Sequence, residues 1–326
     1  MAEEQAPPNT TASLNWKNYL NVLAFILNCV ITFGIGNFGW FGASTNGDLS
    51  DKYQTLVTPA GSAFSIWGVI FISQGIFIVY QLLPSVRAKP MVQDGVSYWY
   101  ILACLFQCAW TPAFGFEQIT AALVFITLIW LSLIGLVYSQ YNVTNGDNNL
   151  LEYWLLRFPF AIHCGWLTAA SVLNVNVLAV KLELSAEVQL AMGIVSLAYL
   201  HAVSVWVVFG FAKPNYTIAG VLAWANGWIS NELNAPSEAI TERFGDLVVS
   251  SVQMAALAVS FIIVGQVVVR VALLCVPSCA INQRLTTTAA ADGEGSSKKE
   301  QPAATRSIDK TPSNASVYSN NVESSV

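Results

Sequence analysis

A stripe of four residues in one apolar segment combines an aromatic ring, a small side chain and an amide. Trp166, Ala170, Leu173 and Asn174 are spaced i, i+4, i+7 and i+8, so a helix would place them on one face. An indole stacks on a flat ring, alanine leaves room beside it, and an amide binds a polar edge. The stripe could therefore border a ligand pocket. Small residues and amides also pack membrane helices against one another, and on spacing alone helix packing is the slightly favoured explanation.

Further tryptophans and a second amide extend this chemistry. Gln107 precedes Trp110 by three residues and shares its helical face. An indole N–H within hydrocarbon needs a hydrogen-bond partner, so a tryptophan deep in an apolar segment should face protein or a cavity. The deep tryptophans are Trp67, Trp110, Trp130, Trp166, Trp206, Trp224 and Trp228. We expect part of this set to line an intramembrane pocket.

Catalytic and metal chemistry has little support in the sequence. His163 and His201 are the only histidines; axial haem ligation is within their chemistry, but hydrogen-bonded packing is the more common role. Asp and Glu are nearly absent from the apolar segments, which argues against a proton relay or a cation site. No nucleophile–base pair, phosphate-binding glycine loop or metal-spaced cluster is present. We predict no catalytic residue, no metal site and no required cofactor, with enzymatic activity the less favoured option.

The residues above lie in long apolar segments. Only 10% of the 326 residues are charged, against about 25% in an ordinary soluble domain. A helix crosses a bilayer core with about 20 apolar residues. Segments of suitable length are 18–42, 62–83, 98–116, 119–140, 153–180, 188–210 and 247–275, with a shorter one at 215–230. They predict an all-α, polytopic membrane helix bundle with eight spans, or seven if the short segment does not cross.

Charge and composition predict the topology of the chain and its tail. The net charge of −5 lacks the basic patch that binding to nucleic acid would need. With eight spans, Lys and Arg near the helix ends favour the side of the N-terminus, so both termini should be cytosolic. Residues 1–17 would form a cytosolic N-terminal segment, and residues 285–326, rich in Ser, Thr and Ala, a disordered cytosolic tail. The final ESSV is a weak signal for capture by a PDZ-type groove.

Three motifs make the chain similar to a known family of membrane proteins. The segment TPAGSAFSIW at 58–67 resembles a loop-to-helix motif of Pro, Gly, Phe and Trp. The segment QCAWTPAF at 107–114 stands where a third-helix motif has Asn-x-x-Trp-Ser-Pro-x-Phe, and the stripe from Trp166 to Asn174 matches a fifth-helix motif. In order and spacing, residues 15–180 resemble the translocator protein family, also called tryptophan-rich sensory proteins (TspO/MBR) or peripheral benzodiazepine receptors.

The resemblance implies a five-helix membrane core at 18–180, followed at 181–284 by three additional transmembrane helices that lie outside the family core. It also implies a pocket for a planar apolar ligand, such as a porphyrin, haem or sterol, used in sensing or transport. The candidate ligand-binding residues are Trp67, Gln107, Trp110, Trp166, Ala170 and Asn174. A lid loop over the mouth would include Tyr53, Pro59, Gly61 and Phe64.

The chain departs from the family pattern in places that affect the ligand. Trp67 follows Phe64 by three residues where many members have four, and Gln107 replaces an asparagine. The identity of the ligand therefore stays open, with haem or porphyrin as candidates. A small-molecule transporter or channel whose path uses the last three helices is the alternative; a seven-helix receptor would require loss of the span at 215–230. The expected partners are a small hydrophobic ligand and the lipid bilayer, with a homodimer as a further option.

Overall fold

Eight long helices build the protein in this computed structural model, which describes residues 13–144, 146–147 and 149–294. Three short helices lie in the connections between them. No strand occurs in the described ranges, which confirms the all-α class. The helices are α1 (Trp16–Ile31), α2 (Asn46–Lys52), α3 (Ile66–Tyr80), α4 (Trp99–Gly115), α5 (Ile119–Asn142), α6 (Leu150–Glu152), α7 (Phe158–Lys181), α8 (Ala186–Phe209), α9 (Tyr216–Glu232), α10 (Glu238–Phe244) and α11 (Asp246–Glu294).

Six helical segments in the described part of the chain are long and apolar enough to cross a bilayer, which confirms a multi-pass membrane protein. They are Trp16–Asn37, Gly61–Tyr80, Ile119–Asn142, Leu150–Lys181, Ala186–Phe209 and Asp246–Cys275. The predicted count of eight also included α4 and α9, which have 17 residues each. At about 1.5 Å per residue each is about 25 Å long, shorter than a hydrocarbon core of about 30 Å. The eight-span topology stays a prediction.

Local sequence explains where α1 begins and how it ends. The Asn15 side chain accepts hydrogen bonds from the backbone N–H groups of Lys17 and Asn18, and the Asn18 side chain accepts one from the Asn15 N–H. After α1 the backbone widens into a π-helical turn, Thr32–Asn37, a form frequent at functional sites. Gly39 then adopts φ of 64°. Glycine takes this left-handed conformation without a steric penalty, so the chain can turn into the first loop.

Helix α7 lies at the centre of the bundle, packed against α3, α5, α8 and α9. Its residues 159–168 are all buried. The Nδ1 atom of His163 is hydrogen-bonded to Gln74 Nε2 at 3.0 Å, and the Tyr100 hydroxyl donates to Gln74 Oε1 at 3.2 Å. These three buried side chains connect α7 to α3 and α4. His163 thus packs within the bundle through Nδ1, whereas its buried Nε2 has no hydrogen-bond partner among the described residues.

The last long helices pack onto this centre. Helix α9 contacts both α7 and α8. The Ser260 hydroxyl on α11 donates to the Ala223 carbonyl of α9 at 2.8 Å, and the Ser204 hydroxyl on α8 donates to Gln266 Oε1 at 3.0 Å. The outer face of α11 carries apolar side chains such as Phe261, which is 69% exposed. A surface of this kind is stable against lipid and not against water.

One connecting segment forms a short helix where its sequence is typical of a turn. The NGD sequence at 46–48 is a turn signal, but it opens helix α2 because Thr45 and Asp48 form a capping box at the helix N-terminus. Helix α11 extends to Glu294, and the disordered tail at 285–326 stays a prediction. The remainder of the predicted tail, with its C-terminal ESSV, and residues 1–12 lie outside the described residues.

Candidate ligand-binding cavity

The residues singled out from the sequence meet around one cavity of about 460 Å³. Pockets for small molecules usually measure about 300–1,000 Å³. All six candidate ligand-binding residues and all four lid residues line this cavity: Trp67, Gln107, Trp110, Trp166, Ala170, Asn174, Tyr53, Pro59, Gly61 and Phe64. The structure thus brings together side chains from α3, α4, α7 and the first loop.

Helix α7 forms one wall of the cavity. Its stripe of Trp166, Ala170, Leu173 and Asn174 faces the open space, as the spacing predicts. Trp166 is only 2% exposed, whereas Ala170 is partly exposed. The small side chain of Ala170 leaves the space beside the indole unfilled. The stripe therefore borders a cavity in addition to packing within the bundle.

Aromatic rings surround the Trp166 indole edge to face. The Phe64 and Trp166 ring centroids are 5.6 Å apart with an interplanar angle of 85°, and those of Trp67 and Trp166 are 6.4 Å apart at 83°. On α4, Trp110 and Phe114 stack at 5.1 Å and 14°. Perpendicular and stacked pairs are both favourable for aromatic quadrupoles. The walls thus offer ring faces in more than one orientation to a flat guest.

Several polar atoms beside these rings have no hydrogen-bond partner among the described residues. Trp110 Nε1 donates to Asn174 Oδ1 at 3.4 Å, and Asn174 Nδ2 donates to the Ala170 carbonyl at 3.0 Å. Among the described residues, neither amide atom of buried Gln107 has a hydrogen-bond partner, and neither does Trp166 Nε1. Leaving a buried polar group unpaired costs about 1–3 kcal/mol. These atoms are suited to pair with the polar edge of a ligand.

The mouth of the cavity is held by an ionic cluster. The Tyr53 hydroxyl donates to Glu117 Oε2 at 2.5 Å, and Lys52 Nζ donates to the same carboxylate at 2.7 Å. Lys181 Nζ on α7 donates to the Tyr53 hydroxyl at 3.3 Å. The hydrogen bond from Lys52, followed by that from Tyr53, holds the pKa of Glu117 below its usual range. This cluster fastens the first loop to the α4–α5 turn and to α7.

Glu117 itself occupies an unfavourable backbone conformation. Its φ is 57°, in the left-handed region that costs a non-glycine residue about 1–2 kcal/mol. Glycine would relieve this strain but would remove the carboxylate that Lys52 and Tyr53 contact. Glu117 therefore keeps a strained backbone together with the carboxylate that holds the lid.

Helix α9 completes the mouth, and the sequence did not predict this. Gln54 Nε2 in the first loop donates to Glu232 Oε1 at 3.0 Å, and the Ala60 N–H donates to the Trp228 carbonyl at 3.1 Å. Glu232 and Asp51 both line the cavity. Partial burial, with the nearby charge of Asp51, raises the pKa of Glu232. No local pattern signals these contacts, since they join residues far apart in the chain.

Two phenylalanines and the π-helical turn also contribute to the lining. Phe33, in the turn Thr32–Asn37, and Phe71, on α3, both face the cavity, with ring centroids 5.1 Å apart. Phe71 follows Trp67 by four residues, a spacing that places both on one face of a helix. The spacing from Trp67 could therefore have predicted Phe71 as a lining residue. No sequence pattern predicts the π-helical turn.

Two of the other four deep tryptophans donate their N–H groups to partners elsewhere. Trp130 Nε1 donates to Thr168 Oγ1 at 3.0 Å, and Trp224 Nε1 donates to the Ala63 carbonyl at 3.4 Å. Trp228 packs against Trp224 with ring centroids 5.3 Å apart. Of the seven, Trp67, Trp110 and Trp166 line this cavity. Trp206 is 58% exposed and Trp224 is 40% exposed, so the rule that a deep indole faces protein or a cavity describes only part of the set.

The fold and the cavity define a polytopic membrane protein with an aromatic, ligand-sized internal cavity. Residues 18–269 match the family described as TSPO-like protein, and the chain belongs to that family. This match extends well past residue 180 and includes α8, α9 and much of α11. The division into a five-helix core at 18–180 and three additional helices at 181–284 stays a prediction. No curated protein and no solved structure matches the chain.

Proposed function

We propose that the protein binds a planar apolar ligand, such as a porphyrin, haem or sterol, in the aromatic cavity and acts in sensing or transporting it. The observation that carries this proposal is the convergence of ten residues, chosen from spacing and family resemblance, on one cavity of about 460 Å³. Indole faces bind flat rings through stacking and burial of apolar surface. Binding inside the membrane also removes such a ligand from water.

The unpaired polar atoms support a ligand with a polar edge. Gln107 offers one acceptor and two donor hydrogens, and Trp166 Nε1 offers one more donor. A haem or porphyrin carboxylate, or the hydroxyl of a sterol, would satisfy part of this set. His163 contacts Trp67 edge to face at 5.5 Å but does not line the cavity. Haem would therefore be held by stacking and hydrogen bonds and not by an axial bond.

A titration with a filled-cavity variant tests the proposal. Protoporphyrin, haem and a fluorescent sterol would each be titrated into the purified protein in detergent, with binding followed by absorbance or fluorescence. Ala170→Phe adds a ring where the cavity is open and should abolish binding while the protein stays folded. Ala258→Phe is the matched control, because Ala258 is an exposed residue in the last apolar helix. Equal binding by both variants and the wild type would refute the proposal.

Proteoliposomes separate the two modes of action. Transport predicts uptake of the bound ligand into sealed vesicles, with Ala170→Phe inactive in both binding and uptake. Sensing predicts saturable binding without uptake. Uptake that persists in Ala170→Phe would instead support a path through the last three helices, the alternative function.

A further inference from the structure

A second cavity, of about 620 Å³, lies on the other side of α7. It is lined by α5, α7, α8 and the start of α9, and its polar residues lie at the end where α5 and α8 finish. The first cavity has its polar lid at the opposite end, beside the α4–α5 turn. The α4–α5 turn lies at the start of α5, and the polar end of the second cavity lies at the end of α5. The polar ends of the two cavities are therefore at opposite ends of the bundle.

Three helices each direct a stripe of side chains into this second cavity. The α5 stripe runs from Trp130 to Tyr141, the α7 stripe from Ala161 to Thr168, and the α8 stripe from Tyr199 to Val207. Eleven residues of helix rise about 16 Å. The space is therefore elongated along the helix axes, and its walls are mainly apolar and aromatic. This shape suits an extended chain better than a compact ring.

Aromatic rings close one side of the groove near its polar end. The Phe211 ring lies 5.2 Å from that of Tyr141 on α5 and 5.3 Å from that of Trp206 on α8, measured between centroids. Phe211 thus bridges α5 and α8 at this end of the groove. An occupant would be enclosed between these rings and α7.

The polar end favours a negative head group. Arg157 and Lys213 line it together with one acidic residue, Glu152. Glu152 is already neutralised, since Arg157 Nη2 lies 3.0 Å from its Oε1 and the Asp147 N–H donates to it at 2.6 Å. The Tyr216 hydroxyl also lines this end and has no hydrogen-bond partner among the described residues. The Tyr216 hydroxyl, beside the positively charged side chain of Lys213, complements a carboxylate.

We propose that the second cavity binds a long-chain fatty acid, with the chain between α5, α7 and α8 and the carboxylate beside Lys213 and Tyr216. A volume of about 620 Å³ falls in the range of a single-ligand site. A two-chain phospholipid would leave one chain outside the groove. The two cavities share no lining residue, so this site does not depend on the planar-ligand proposal.

Photolabelling tests the site in the full-length protein. The protein would be reconstituted in phosphatidylcholine vesicles with palmitate that carries a photoreactive group on its chain, and labelled peptides would be mapped by mass spectrometry. Label should concentrate on residues 130–141 and 199–207. Val203→Trp fills the groove and should lower this labelling at least about tenfold, a loss of about 1.4 kcal/mol. Val195→Trp, at a residue 66% exposed on the same helix, should label as the wild type does.

Head-group recognition is tested by competition. Palmitate should compete for the label several-fold better than hexadecanol, which has the same chain and a neutral head, and Lys213→Gln should remove this difference. Lys213 is exposed, so this variant should fold even if Val203→Trp does not. Label spread evenly over lipid-facing helices and unchanged in both variants would overturn the proposal. Competition by phosphatidic acid but not by palmitate would also overturn it and assign the groove to a bilayer phospholipid.

Discussion

Trp110 on α4 donates its indole N–H to the side-chain oxygen of Asn174 on α7, with an N–O distance of 3.4 Å. The bond joins two walls of the aromatic cavity and leaves the Asn174 amide nitrogen to bond within its own helix, to the Ala170 carbonyl. It therefore orients the one amide of the α7 stripe and one of the three cavity tryptophans at the same time.

This bond should appear as coupling between the two residues. Trp110→Phe and Asn174→Leu should each lower stability, but the double variant should lose less than the sum, by about 0.5–1.5 kcal/mol. The measurement is a double-mutant cycle from denaturant unfolding in detergent. Pairing Asn174→Leu with Trp154→Phe, at a tryptophan 53% exposed, provides a control cycle that should be additive. Additivity in both cycles would show that the bond contributes nothing measurable.

Trp166 should contribute a stacking face to the planar ligand. Trp166→Ala should weaken binding of porphyrin or sterol by about 1–3 kcal/mol, taking stacking of bases on aromatic side chains as a guide. Trp16→Ala, at a residue 58% exposed near the start of α1, should bind as the wild type does. Titration and melting in detergent would be measured together. Unchanged affinity in a folded Trp166→Ala protein would leave packing as the role of this residue.

The lid contact should depend on pH with a defined sign. The folded pKa of Glu117 lies below its ordinary value of 4.5, so the carboxylate stabilises the closed lid above that pH. The contribution is lost as the pH falls through the lowered pKa. The part of the release rate that depends on Glu117 should therefore be constant from neutral pH down to about 4.5 and should rise below it.

Two variants separate the lid contact from general acid damage. In Glu117→Gln, release should be fast at neutral pH and should not accelerate further on acidification. Tyr53→Phe should also speed release, whereas Tyr19→Phe, at a residue 59% exposed on α1, should not. Stopped-flow displacement of bound porphyrin gives the rates. An unchanged acid response in Glu117→Gln would remove this carboxylate from the lid mechanism.

Both termini should lie on the same side of the membrane if α4 and α9 span it. Each has 17 residues, which suffices where the bilayer thins or polar ends reach the interface. Tags at each end of the chain, with protease added to sealed vesicles, report the sidedness. Protection of one tag and digestion of the other would exclude eight spans.

The helices were predictable because they depend on local sequence. The apolar segment 119–140 became Ile119–Asn142, since hydrophobic length decides what fits a bilayer. The α7 stripe was predictable for a similar reason, because helical periodicity alone places Trp166 and Asn174 on one face. These features need no knowledge of neighbouring helices.

The features that could not be predicted depend on long-range contacts. Glu232 lines the cavity only because α9 packs beside the first loop, where Gln54 meets it across the bundle. The second cavity exists because α5 and α8 pack on α7 without filling the space between them. In the sequence, each of the three stripes alone is typical of ordinary helix packing. Sequence pattern identifies faces of helices but does not show which faces remain uncovered.

Helix α7 separates the two cavities, with Leu167 lining one and its neighbour Thr168 lining the other. A helix with empty space on two faces has fewer contacts to resist small rotations or shifts than one packed on all sides. Filling either cavity would favour some positions of α7 over others. Binding in one cavity should therefore change the affinity of the other for its ligand. By thermodynamic reciprocity, whatever factor a fatty acid applied to the affinity for a planar ligand, the planar ligand would apply to the affinity for the fatty acid. The protein would then respond to two lipid-soluble signals, one at each side of its central helix.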